Sequence, residues 1–109
     1  MILFLALMSI YADEDDKAYA ELAYNKGLEN ISKENYEEAL LNFQEAIRFD
    51  SAYVMAYIKK GFVQIEMNEY DLAKKDFNHA IRLQPDNGEA YYHLAFINIE
   101  NDRFEEALN

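Results

Sequence analysis

Two histidines, His79 and His93, and 21 acidic residues are the side chains with which this chain of 109 residues could do chemistry. A zinc site wants ligands in close register, and neither histidine has another three or four residues away. Cysteine is absent, which excludes a thiolate metal site, a disulfide framework and a cysteine nucleophile. The acidic runs Asp13–Asp16 and Asn98–Glu106 lack the glycine and ligand spacing of a calcium loop, so they read as helix caps or a solvated face. The pairs Glu37/Glu38 and Glu105/Glu106 point outward on helices, whereas general acid–base work needs a pocket. No glycine-rich phosphate loop and no Ser/His/Asp arrangement is present. The expectation is a protein that is not an enzyme and carries no metal or cofactor.

Charge narrows the partners. Ten Lys and Arg against 21 Asp and Glu leave a net charge of −11. Phosphate neutralisation needs clustered basic residues, so nucleic acid is excluded as a partner. An anionic membrane surface is disfavoured for the same reason. The composition is 51% hydrophobic and 15% aromatic, too apolar for a disordered acidic tail. With three Gly and one Pro, long helices are expected rather than many short strands.

The first twelve residues, Met1–Ala12, carry no charged side chain and run directly into Asp13–Asp16. They are too short to cross a bilayer, which takes about 20 residues. Two readings stand: a signal peptide, which would make the protein exported, or an apolar N-terminal strap in a cytoplasmic one. No Lys or Arg precedes the run, and Ile10 is bulky where a signal peptide prefers a small residue. Residues 13–19 form an acidic lead-in.

The remainder is periodic. A shift of 34 residues superposes Gly27, Gly61 and Ala95; Tyr36, Tyr70 and Phe104; and Ala39, Ala73 and Ala107. Phe43 falls on Phe77, Ala46 on Ala80, and Tyr57 on Tyr91. Residues 20–53 and 54–87 share nine identities in 34 columns, concentrated at small and aromatic positions. Each unit reads as two helices, the second showing an apolar stripe at 3–4 spacing (Ala39, Leu40, Phe43, Ala46, Ile47). The first helix is predicted from about Lys17 to Lys33, with Asp13–Asp16 favourable at its N-terminus. Turns within the units are expected at Glu34-Asn35, Asn68-Glu69 and Asp102-Arg103, and Pro85 ends a helix between units. Asp86 with Glu89 resembles a capping box for the helix that follows.

On these columns the chain resembles the tetratricopeptide repeat family from Ala20 to Asn109. The unit 54–87 matches most fully, at Tyr57, Gly61, Tyr70, Ala73, Phe77, Ala80 and Pro85. Unit 20–53 departs with Ala23 in place of an aromatic and Ser51 in place of proline, and unit 88–109 has Ala95 in place of glycine. The resemblance implies an all-α fold, an α-solenoid of antiparallel helix-turn-helix repeats, here two complete repeats and a partial third. A full third repeat would reach position 121, so a fragment of a longer repeat protein is expected, with an uncapped apolar C-terminal end available for self-association.

In the family the first helix of each repeat lines a concave groove that holds peptides. Carried over by register, the partner-binding residues are Tyr24, Asn25 and Leu28, followed by Ile31 and Ser32, in the first unit. The second contributes Met55, Ile58, Lys59 and Phe62, with Ile65 and Glu66; the third contributes Glu89, Tyr92, His93 and Phe96, with Ile99 and Glu100. Ile65 and Ile99 are also placed to serve the core. The subclass that clamps a chaperone C-terminal carboxylate is not expected, because its positions hold Tyr24, Leu28, Lys59, Glu89 and His93, of which only Lys59 has the right charge. The functional expectation is a non-catalytic scaffold binding a protein or peptide segment. The alternative is a structural or self-association module, a spacer, or a regulatory part of a longer protein.

Overall fold

The computed structural model describes residues 2–108, without the side chains of residues 4–13. Whether Met1–Ala12 serves as a leader or a strap lies outside those described side chains. Five helices are present and no strand among the described residues: α1 (Ile2–Ser32), α2 (Tyr36–Phe49), α3 (Val54–Glu66), α4 (Tyr70–Leu83) and α5 (Gly88–Leu108). They form two compact units, residues 1–53 and 54–109.

The first unit is the hairpin of α1 and α2. Helix α1 starts far earlier than Lys17, because Leu, Ala and Met are strong helix formers and no Gly or Pro interrupts the chain before Gly27. Asp13–Asp16 therefore lie within the helix and do not serve its N-terminal dipole. Ala39, Phe43 and Ala46 of α2 are buried, as are Ala20, Ala23 and Gly27 of α1. Glycine at 27 is a matter of close approach: a Cβ there would stand 2.5 Å from the Phe43 ring. Tyr24 packs against both Phe43 and Tyr53, with ring centroids 5.7 and 5.1 Å away. An amide pair, Asn30 Nδ2 donating to Asn42 Oδ1 at 2.7 Å, ties the two helices.

The second unit repeats this hairpin in α3 and α4 and adds α5. Phe77 of α4 is fully buried and covers Gly61, where a Cβ would lie 2.6 Å from the ring. Ala73 and Ala80 flank it, and Ala56, Tyr57, Ile58 and Val63 of α3 are buried. Tyr57 stacks on His79 at 4.3 Å. The equivalent of the Asn30–Asn42 pair is Gln64 with Asp76, and here Lys60 Nζ also reaches Asp76 at 3.3 Å. Burial pushes the Asp76 carboxyl above its ordinary value despite Lys60 and Gln64, and Gln64 Oε1 is buried without a hydrogen bond. Asp76→Asn is therefore expected to stabilise the protein by about 1 kcal/mol at neutral pH, because an amide can donate to Gln64 Oε1 and carries no charge to desolvate. A raised native carboxyl pKa means stability present below the unfolded value and lost as pH rises, so the gain should shrink on acidification. Urea denaturation at pH 7 and pH 4 checks both statements, and an unchanged or less stable variant at pH 7 refutes them.

Both hairpin turns use one device. Glu34 and Asn68, in equivalent columns, take left-handed conformations (φ 57° and 60°). Asn35 N–H donates to Asn30 O and Glu34 N–H to Ile31 O, and the same pair of bonds joins Glu69 to Gln64 and Asn68 to Ile65. The third column differs. Asp102 is helical, and the turn expected at Asp102-Arg103 is replaced by an unbroken α5 of 21 residues. A left-handed non-glycine residue costs roughly 1–2 kcal/mol, which α2 and α4 offset by burying a phenylalanine and two alanines each. Among the described residues that follow Asp102, none is buried. Accordingly Tyr91, Ala95, Phe104 and Ala107, expected in repeat packing, are exposed, as is Pro85. Tyr36 and Tyr70 are half-buried. The α5 cap also differs from expectation: Asn87, not Asp86, caps the helix, its Oδ1 accepting Ala90 N–H at 2.9 Å, since the helix begins one residue later.

Candidate functional site

Helical spacing places Met55, Lys59, Phe62 and Glu66 along one face of α3, and Glu89, His93, Phe96 and Glu100 along one face of α5. Helix α4 holds both through Phe77, which lies over Gly61 on one side and stacks on His93 at 4.9 Å on the other. The His93 ring also meets Phe62 (6.2 Å) and the edge of Tyr92 (5.4 Å). Burial holds the His93 imidazole below its ordinary value, against the opposing pull of Glu89, whose carboxylate lies 3.8 Å from Nε2. The ring is thus neutral at pH 7. Lys59 Nζ lies 3.4 Å from the same carboxylate and neutralises it.

Beside this cluster, Phe62, Ile65, Glu66, Tyr92, His93 and Phe96 line an open pocket of about 190 Å³. Tyr92 is 70% exposed and Phe96 38%, so its aromatic wall faces solvent. Large side chains left this exposed next to one another make this surface a candidate site. A second, more polar cleft of about 670 Å³ lies between the start of α4 and the end of α5, with Asn68, Tyr70, Asp71, Glu100 and Phe104 on its walls. It exists because α5 runs straight past Asp102.

The structure therefore brings together Lys59, Phe62, Glu89, Tyr92, His93 and Phe96 in the second unit, while Met55 is half-buried on the same face of α3. Ile58 does not join them: it is fully buried, and a partner cannot touch its side chain. Ile65 is 8% exposed and forms the pocket floor; Ile99 is half exposed. In the first unit Asn25 and Ser32 are exposed, Leu28 and Ile31 half-buried, and Tyr24 is engaged by two aromatic rings. Sequence reading missed the Lys60–Gln64–Asp76 cluster. Its signal was present: Asn30 and Gln64 share a column, as do Asn42 and Asp76, a polar pair recurring on inward faces. Among the described residues no three His, Cys, Asp or Glu side chains converge to hold a metal, and no helix is long and apolar enough to cross a membrane.

Comparison with known proteins gives this geometry a context. Two family models, each described as a tetratricopeptide repeat, match residues 20–53 and 64–109. The crystal structure of MamA is 28% identical with a TM-score of 0.75, matched over 82% of this chain and 52% of that one. The chain thus spans about half the length of that protein. The Arabidopsis OM64 TPR domain is 21% identical (TM-score 0.78; 84% and 76% covered). The first TPR of Spaghetti (RPAP3), bound to the HSP90 peptide SRMEEVD, is 18% identical (TM-score 0.55; 79% and 95% covered). At those identities the last two show the fold alone. A search of curated protein sequences finds no match.

Proposed function

The chain belongs to the tetratricopeptide repeat family, and from that premise we propose that it is a non-catalytic scaffold whose α3–α5 groove holds a peptide segment of a partner protein. Repeats of this family generally mediate protein–protein interaction, and their fold is typically a non-catalytic scaffold. The observation that carries the reading is the aromatic wall of half-buried Phe62 with exposed Tyr92 and Phe96, braced from behind by the stacked pair of Phe77 and His93. Rigid, preorganised aromatics of this kind supply binding energy at little entropic cost. The net charge of −11 argues against an acidic peptide such as the one in the Spaghetti complex, and hence against a carboxylate clamp.

The test is a peptide selected from a random display library against this protein, with its affinity then measured on variants. Phe62→Ala and Tyr92→Ala should each weaken it about tenfold or more, with the helical circular dichroism unchanged. Binding equal to that of the unsubstituted protein in both variants overturns the reading. A second reading, self-association, is favoured by the exposure of Phe104 (66%) and Leu108 (73%) on α5. Sedimentation showing a monomer at high micromolar concentration counts against it.

A further inference from the structure

Resting on that reading, we infer that an apolar side chain of the partner segment and a proton compete for the α3–α5 pocket: the side chain lies against the neutral His93 ring, and protonation of that ring expels it. Phe62, Tyr92 and Phe96 give the pocket aromatic walls, Ile65 closes its floor, and His93 completes the ring surface. The volume, about 190 Å³, equals roughly six waters at about 30 Å³ each, room for one side chain. The ions nearby are already engaged. Lys59 lies 3.4 Å from the Glu89 carboxylate, and Glu66, also on the pocket wall, has its own interaction within the protein. What the pocket offers an occupant is therefore ring surface.

The same surroundings set the response of His93 to a proton. Helix α4 presents the uncharged Phe77 ring, stacked at 4.9 Å. Helix α3 presents the Phe62 ring and the Lys59 cation, and α5 itself presents the Tyr92 edge and Glu89. Glu89, 3.8 Å from Nε2, favours an imidazolium, but Lys59 shares that carboxylate and opposes a second cation beside it. Only 15% of the His93 side chain is exposed, and this burial outweighs Glu89 and holds the ring below its ordinary value. An apolar occupant covers part of the exposure that remains, which disfavours the imidazolium further. The bound ring thus has a lower pKa than the free one, and a protonated ring gives its proton to solvent as the side chain enters. By linkage the affinity is full above the pKa of the free protein and falls as pH drops through it, by at most about tenfold per pH unit. An acidic occupant would reverse the sign, because a carboxylate beside the ring stabilises its charged form.

The probe is a histidine-free peptide selected from a display library against the full chain at pH 7.5. Its affinity should be severalfold lower at pH 5.0, with helical circular dichroism unchanged. The His93 ring, followed by nuclear magnetic resonance, should titrate at a lower pH with the peptide bound than without it; this midpoint is read from folded resonances, so acid unfolding does not mimic it. His93→Phe keeps a ring against Phe77 and cannot be protonated. Whatever its affinity at pH 7.5, the ratio between the two pH values should lie within about twofold of unity, and His93→Gln should show the same without relying on the fit of phenylalanine. His79→Gln, at the only other histidine, should keep the ratio of the parent. An affinity that does not fall in acid, a midpoint that stays or rises on binding, a loss that persists in both His93 variants, or one that vanishes in His79→Gln overturns the competition and leaves the peptide groove intact. An alanine scan that identifies the anchor of the peptide as Asp, Glu, Lys or Arg overturns the apolar occupant. Failure to select any binding peptide overturns the groove reading together with it.

Discussion

Phe77→Ala is expected to lose about 3–5 kcal/mol of folding stability, the range for deleting a fully buried aromatic and leaving a cavity. Against a typical total of about 5–15 kcal/mol, that is enough to leave a substantial unfolded fraction near body temperature. Position rather than residue type sets the size of the loss. Phe77 has no exposed surface and joins three helices, since it belongs to α4, covers Gly61 of α3 and stacks on His93 of α5. Relaxation into the void is limited, because Gly61 has no side chain to move in and His93 is held among Phe62, Tyr92 and Glu89. Phe43→Ala, the same column in the first unit, should cost a similar amount, for Phe43 is equally buried over Gly27. Phe104→Ala should change stability by less than about 0.5 kcal/mol, as exposed substitutions do. Urea denaturation of the three variants is the measurement. A Phe77→Ala variant within 1 kcal/mol of the parent would refute the packing scheme.

How much of this was legible in the sequence depends on whether a contact lies within a repeat. Gly27 with Phe43, and Gly61 with Phe77, were readable because small and aromatic residues recur in register and pack within one hairpin. The turns at Glu34 and Asn68 were placed correctly for the same reason. Asp102 stands in the same column, yet its column does not determine its conformation. A left-handed residue persists only where the following helix repays it by burial, and that is a tertiary condition invisible in Asp102 itself. The groove column Tyr24, Ile58, Tyr92 shows the same limit: one member is half-buried, one fully buried and one 70% exposed. Register says that three residues occupy equivalent helix positions, but exposure is decided by what packs beside each. The polar column of Asn30 and Gln64 was passed over because polar residues within an amphipathic pattern read as solvent-facing, whereas here they bond across the hairpin.

Gly61→Val should cost about 3 kcal/mol, and Gly61→Ala roughly 1–2 kcal/mol, although either residue would be the better helix former in an isolated helix. The sign follows from competing magnitudes. Replacing helical glycine with alanine gains about 1 kcal/mol in propensity. Against this, the new Cβ would stand 2.6, 2.8 and 2.9 Å from three atoms of the Phe77 ring, where ordinary contact begins at 3.4 Å. The ring must withdraw, and His93 stacked at 4.9 Å closes its path. Overpacking of this kind costs typically 1–3 kcal/mol, and valine adds two methyl groups to the same wall. Ala95 is the control within the same chain: it occupies the same column but is exposed, so Ala95→Gly should lose only the propensity of about 1 kcal/mol. Shortening the opposing side chain separates sterics from backbone effects. In the double variant Gly61→Ala with Phe77→Leu, the two losses should fall short of their sum by 0.5 kcal/mol or more. Strict additivity, or a Gly61→Ala protein as stable as its parent, would show that the helices have room to part. Because the ring pushed back by Cβ61 is the one that braces His93, the same substitution should also weaken peptide binding at the Phe62–Tyr92–Phe96 wall without touching a residue of that wall.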